Sequence, residues 1–211
     1  SGVKDGMVSK YWSGIRSMVT EDTLVIRNGP YILPSVGDKL LPFVTSWLKD
    51  GRLLRKEIQA HREYAWGFLR EELQEYLLDQ LQLLLDQRLI RKTFENGTEY
   101  TIISVILALN KEILRLAQRF DFTKKNPKLI YVSSTEAVIS LEDSILAAYL
   151  HLVGFDVLFF VPTGYQTVER HFRDDLLEEH QAGEYLYDLR VPDLGGVAVK
   201  QKKSWLDRIF G

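Results

Sequence analysis

The sequence predicts an α/β protein, and three observations carry that expectation. The run "KLIYVSS", residues 128–134, reads as a short buried strand. Residues 144–153 follow with the Ile, Leu and Ala content of a buried helix, and Gly154 is placed to end it. "DVLFFV", residues 156–161, is a second strand, apolar without alternation, as strands covered on both faces are. Strand, crossover helix and strand in that order make a parallel βαβ unit. The expected fold is therefore a Rossmann-like parallel βαβ core with an additional helix-rich segment. Residues 1–120 are expected to be mainly helical with a short N-terminal strand. Residues 121–211 are expected to form the Rossmann-like part with an amphipathic C-terminal tail.

The elements are justified in chain order. In "DTLVIRNGPYILPSVGD", Val25 and Ile26 suggest a short strand and Asn28-Gly29-Pro30 a turn. From Leu53 to Ile90 apolar residues recur at three-four spacing, from Leu54 and Ile58 through Leu69 and Leu73 to Leu84 and Leu85. One amphipathic helical run is predicted there, with Gly67 weakening or bending it rather than ending it. The seven-residue repeat of "YLLDQLQ" and "LLLDQRL" covers two heptads, too few for a coiled coil, so a core-facing helix is the reading. "TEYTIISVIL" after Asn96-Gly97 is β-branched enough for a hairpin, which would make a winged helix. "ILALNKEILRLAQRF" is helical, however, and Thr98 can cap, so one long buried helix from Thr98 is expected. After "DVLFFV", the residues Val168, Phe172, Leu176 and Leu177 share a face of "QTVERHFRDDLLEEHQ", predicting a further helix.

Composition narrows the function classes. The 211 residues, 45% hydrophobic and 27% charged, describe a globular chain with a sizeable core. Lys and Arg number 27 against 29 Asp and Glu, and the pI is near 6.1, so no nucleic-acid partner is expected. There is no cysteine, which excludes disulfides, thiolate metal sites and cysteine nucleophiles and fits a cytoplasmic location. No apolar run has the length of a membrane span and no secretory leader is visible. Ser1-Gly2 resembles a cloning remnant before "VKDGM", and the expectation is a piece of a longer protein.

In open parallel sheets ligands bind beyond the carboxyl ends of the strands. Two such ends are predicted: Ser133, Ser134, Thr135 and Glu136, and then Pro162, Thr163, Gly164 and Tyr165, with Glu169 one turn into the next helix. Hydroxyls and free helix N–H groups suit a phosphate or carboxylate. Thr135 and Thr163 would donate hydrogen bonds, Gly164 would give backbone access, Tyr165 would stack on a ring, and Glu136 or Glu169 would meet ribose or sugar hydroxyls. The alternative is that both stretches are ordinary connections and caps. There is no G-x-G-x-x-G, P-loop, G-x-S-x-G or H-E-x-x-H motif, so neither a cofactor nor a catalytic residue is assigned.

His171, Asp175 and Glu179, four apart, could hold a divalent metal on one helical face. A solvated acidic surface is the preferred reading, and no metal site is assigned. His151 sits among aliphatic residues and reads as a hydrogen-bonded, partly buried side chain. Glu142 and Asp143 begin a helix beside its positive dipole end, or with Glu136 form an acidic cluster. At the C-terminus, Lys200, Lys202, Lys203 and Arg208 alternate with Trp205, Leu206, Ile209 and Phe210. This tail could touch an anionic membrane peripherally or fill a partner groove.

The stretch "RFDFTKKNPKLIYVSSTEAVISLEDSILAAYLHLVGFDVLFFVPTGYQTVE" resembles the C-terminal part of the bacterial YceG-like family, with "GEYLYDLRVPDL" consistent with it. That family is described as a component of a "biosynthetic module" in operons with tellurium-resistance (Ter) proteins. The resemblance implies a cytosolic, stress-associated bacterial protein of which this chain is the C-terminal portion. It carries over no catalytic residue. The functional expectation is binding of a phosphorylated or nucleotide-like small molecule such as a nucleotide-sugar. The enzyme version is a glycosyltransferase-like transferase completed by an N-terminal part. The rival is a non-catalytic module docking Ter-system partners.

Overall fold

A computed structural model describes residues 1–119 and 126–197. The chain enters through α1 (Val8–Met18) and β1 (Thr23–Arg27), then α2 (Leu41–Trp47). A two-stranded ribbon, β2 (Leu48–Lys49) and β3 (Arg52–Leu53), leads to α3 (Arg55–Ala60), α4 (Glu71–Gln87), α5 (Thr98–Leu107) and α6 (Lys111–Arg119). The last elements are β4 (Lys128–Val132), α7 (Leu141–Val153) and β5 (Asp156–Phe160). The protein is a mixed α/β molecule built on a three-stranded sheet in the order β1-β4-β5, parallel throughout. Among the described residues no helix is long and apolar enough to cross a membrane.

Strand alternation sorts the sheet into two packed faces. Leu24, Ile26, Leu129, Tyr131, Val157 and Phe159 point into the large core shared with α2 to α7. Ile130, Val132, Leu158 and Phe160 point the other way, onto Ile15 and Trp12 of α1. Both faces are covered, which is why these strands lack a polar stripe. The β4-α7-β5 unit follows the sequence expectation closely. Ser140 caps α7 by accepting from the Asp143 amide at 3.1 Å, and Gly154 ends it in the left-handed region at φ 110. The sequence reading left β1 without a partner; it is the third parallel strand.

Three helical expectations are corrected. The run from Leu53 to Ile90 is broken at residues 61–70, where the chain turns so that Trp66 and Leu69 enter the core; Gly67 lies within this break. The helix from Thr98 is two helices. Its N-cap is Gly97, not Thr98, and Asn110 accepts from the Glu112 amide at 2.8 Å to start α6. Among the described residues no helix follows β5. Residues 166–182 run as turns, because their backbone is taken up elsewhere: Phe172 bridges Ile90, Arg91 N–H donates to His171 O and Arg173 N–H to Leu89 O, both at 2.8 Å. Asp175 lies at φ 59, which interrupts helical geometry. His171, Asp175 and Glu179 therefore share no helical face. The basic tail from Lys200 to Phe210 and the boundary between residues 120 and 121 lie outside the described residues.

Candidate functional site: a cleft at the carboxyl ends of the strands

The first wall of the site begins where β1 and β4 end. Asn28, in the left-handed region at φ 47, donates its amide N–H to Val132 O, and its side chain crosses to the β4 loop. Its Oδ1 accepts from the Ser134 amide at 2.7 Å and its Nδ2 donates to Ser134 Oγ at 2.9 Å. The next turn is held from below by Asp143, wholly buried in the first turn of α7. Its carboxylate accepts from the amides of Tyr31 and Ile32 at 2.8 and 2.7 Å and from the Tyr131 hydroxyl at 3.2 Å. Burial raises the Asp143 carboxyl above the ordinary range, with those three hydrogen bonds opposing the rise. Gly29 sits at the centre of this arrangement. A Cβ there would stand 2.2 Å from the Tyr131 hydroxyl oxygen and 2.4 Å from Asp143 Oδ2, so a side chain at this position has to displace both buried groups.

The second wall is a strap, residues 187–191, that crosses the strand ends after Leu186 N–H has donated to Pro162 O at 3.0 Å. It brings Tyr187, Asp188 and Arg190 to a cleft of about 720 Å³, a volume suited to a small organic ligand. From the opposite side come Arg27, Asn28, Ser134, Thr135 and Glu136, and from the β5 end Thr163 and Tyr165. Arg27 also touches the chain just beyond the strap, with Nη1 donating to Pro192 O at 3.4 Å and lying 3.7 Å from Asp193 Oδ1.

The sequence-predicted residues do not all arrive at one place. Ser134, Thr135, Glu136, Thr163 and Tyr165 line the cleft together. Thr135 Oγ1 accepts from the Ala137 amide at 3.3 Å and Thr163 Oγ1 from the Tyr165 amide at 3.4 Å, so each keeps its O–H to donate. Tyr165 donates to Glu136 Oε1 at 3.0 Å and stands 5.5 Å from the Tyr187 ring in a tilted pair. The bond to Glu136, with partial burial and neighbouring negative charge, raises the Tyr165 phenol. Ser133 lies beneath the surface, 3.2 Å from Thr167 Oγ1. Gly164, at φ 68, faces the Tyr185 ring: a Cβ there would come within 2.3 Å of it. Glu169, in a turn rather than a helix, accepts from the Val168 amide at 3.1 Å and faces a separate groove. Among the described residues no three acidic or histidine side chains gather at metal-binding distance.

Sequence reasoning missed Arg27, Asn28, Tyr187, Asp188 and Arg190. "RNGP" directly after a strand was a findable signal, since it is a strand carboxyl end like the other two. The strap carries no local pattern that announces its position. The cleft thus combines two guanidinium groups, two hydroxyl donors, two phenol rings and two carboxylates, Glu136 and Asp188.

The chain is thus a mixed α/β protein with a three-stranded parallel sheet and a polar cleft over the carboxyl ends of its strands. The chain matches the model of the YceG domain over residues 1–192, and it belongs to that family. It is similar to the "Uncharacterized protein YceG" of Bacillus subtilis (strain 168), 26% identical over 89 residues. That match takes in 41% of this chain and 17% of the relative's length. No solved structure matches.

Proposed function

We propose that the cleft binds a phosphorylated or nucleotide-like small molecule, in a core used in the Rossmann-like manner. The observation that carries this reading is the pairing of Arg27 and Arg190 with the Thr135 and Thr163 hydroxyls at one strand-end cleft. Guanidinium forks suit phosphate oxygens, and charge-assisted bonds to them are the strong ones. Tyr165 and Tyr187 supply ring faces for a base or sugar, while Glu136 and Asp188 accept from hydroxyls. A nucleotide-sugar satisfies all three chemistries, and the finer reading is a transferase whose active site is completed outside this chain. A cytoplasmic, stress-associated role beside tellurium-resistance proteins, as part of a biosynthetic module, accords with this reading.

Thermal-shift titration with nucleotides, nucleotide-sugars and sugar phosphates tests the proposal. A ligand at 100 times its Kd raises stability by about 2.7 kcal/mol by mass action. The expected result is a saturable rise that disappears in Arg27→Ala/Arg190→Ala. A rise unchanged in that variant would sink the assignment of this cleft. The rival reading, a module that docks Ter-system partners, draws on the apolar groove along β5. It predicts no shift with any of these compounds.

A further inference from the structure

The second cavity is unlike the first. It is a groove of about 730 Å³ between α1 and the segment 168–182, and the consecutive residues Val157 to Phe160 of β5 all line it. Neighbouring strand residues point to opposite faces of a sheet, so a cavity that touches every one of them runs along the strand's edge. Among the described residues β5 pairs with β4 alone, and its other edge faces the groove. Just beyond the strand, Val161 O accepts from Gly2 N–H at 3.1 Å, which shows how an amide meets this side. The side walls are mainly apolar, with Ile15, Ala148, Phe172, Leu176 and Leu177.

Two features narrow the occupant. The rim carries both signs: Glu169, Glu178 and Glu179 stand with Lys10, His180 and the Ser1 amino group, and His180 Nε2 lies 3.2 Å from Glu178 Oε1. A rim balanced in this way favours an occupant without charge. The strand edge asks for amides, because plain hydrocarbon laid against it would leave N–H and C=O groups covered and unpaired.

The groove and the polar cleft meet at one side chain. Tyr165 lines both, and its hydroxyl bonds Glu136 on the cleft side. The loop leaving β5 serves the two in turn: Val161 lines the groove, Thr163 the cleft, and Val168 and Glu169 the groove again. One molecule can therefore hold a charged head over the strand ends and lay a neutral arm along β5.

We propose that cleft and groove are two halves of one ligand site, and that the ligand is a phosphorylated, nucleotide-like head joined to a neutral arm carrying amide groups. The head lies by Arg27 and Arg190; the arm passes Tyr165 and pairs its amides with the edge of β5. This rests on the phosphate reading of the cleft and adds the arm to it. Coenzyme A has this composition and serves as the probe. The chain has no cysteine to form a mixed disulfide with its thiol.

Calorimetric titration of the full chain compares coenzyme A with its head alone, adenosine 3′,5′-bisphosphate. Coenzyme A should bind about tenfold more tightly or better, since a held head presents the arm at high effective concentration. A Cβ at Gly14 meets nothing within 4 Å, so Gly14→Trp fills the groove from α1 without disturbing the core. It should remove the gain and leave the bisphosphate affinity unchanged, which also shows that the variant folds. Leu177→Asp, from the opposite wall, should do the same. Amide exchange along Asp156–Phe160 should slow about tenfold with coenzyme A and not with the bisphosphate. Bisphosphate binding with no gain from the arm overturns the proposal and leaves the cleft reading standing. Silence of both compounds overturns it too, and takes the cleft reading with it where nucleotide-sugars and sugar phosphates are silent as well. A gain that survives both groove variants sinks the assignment of the arm to β5. An equal gain of octyl phosphate over methyl phosphate, with β5 exchange unchanged, overturns it in favour of a lipid.

Discussion

The two walls of the polar cleft are made in opposite ways. The wall at Asn28, Ser134 and Asp143 is a closed set of hydrogen bonds around a buried carboxylate. The wall at residues 187–191 is exposed at Tyr187 (52%), Asp188 and Arg190, and is tied by Leu186 to Pro162, by Val191 packed on the core beneath α1, and by Arg16 Nη2 to Asp193 O at 2.8 Å. The first wall is shaped by folding, before any ligand arrives. The second supplies Arg190 and Tyr187 with little held in place by folding. Positioning and recognition are thus divided between a rigid side and a lightly held one.

The largest expected effect comes from breaking the rigid side. Asp143→Ala removes the acceptor of the Tyr31 and Ile32 amides and of the Tyr131 hydroxyl, and about 3 kcal/mol of stability should go with it in urea unfolding. A loss within experimental error would mean the carboxylate only fills space. On the other side, Arg190→Ala should weaken binding of a phosphorylated ligand tenfold or more in calorimetric titration, about 1.5–3 kcal/mol for a charged hydrogen bond. Its stability should stay within about 0.5 kcal/mol of the parent. A matching fall in melting temperature would erase the distinction between the walls.

Asn28→Ala sharpens the comparison, since Asn28 belongs to both bonding network and cleft lining. It should cost about 1–2 kcal/mol of stability and also lower ligand affinity, which no strap variant should do together. The smallest effect is in pH. Because the folded Asp143 carboxyl sits above its ordinary value, the folded state holds that proton more tightly than the unfolded chain. Its stabilising share is full below the unfolded value and is lost as pH rises through the folded one. Urea midpoints measured upward from about pH 4 should show this decline in the parent. Asp143→Asn, which does not titrate, should flatten it.

How much of this was legible depends on how local each signal is. β4, α7 and β5 could be read because each carries its own period and its own stop, Gly154 above all. The helix expected after β5 was not there because Val168, Phe172, Leu176 and Leu177 satisfy a helical period equally well as turns pinned against Leu89 and Ile90. A tertiary bridge overrode the pattern. In the cleft, Ser134, Thr135, Glu136, Thr163 and Tyr165 were reachable from strand ends alone. Arg190 and Tyr187 were not, since they come to the cleft by long-range contacts such as Leu186 with Pro162. Arg27 and Asn28 fell between: their turn was visible, but its place at a third strand end required knowing that β1 joins the sheet.

Gly29 has a consequence for how such a protein can change over generations. A methyl group at its position has to displace the buried Tyr131 hydroxyl and Asp143 carboxylate, so that wall should tolerate little drift. The strap, exposed and anchored at its ends, can exchange residues without touching the framework. New ligand preferences should therefore arise by substitution at positions 187–190 while the Gly29 corner stays fixed, and a library randomised at those two places should recover folded variants from the first and few from the second.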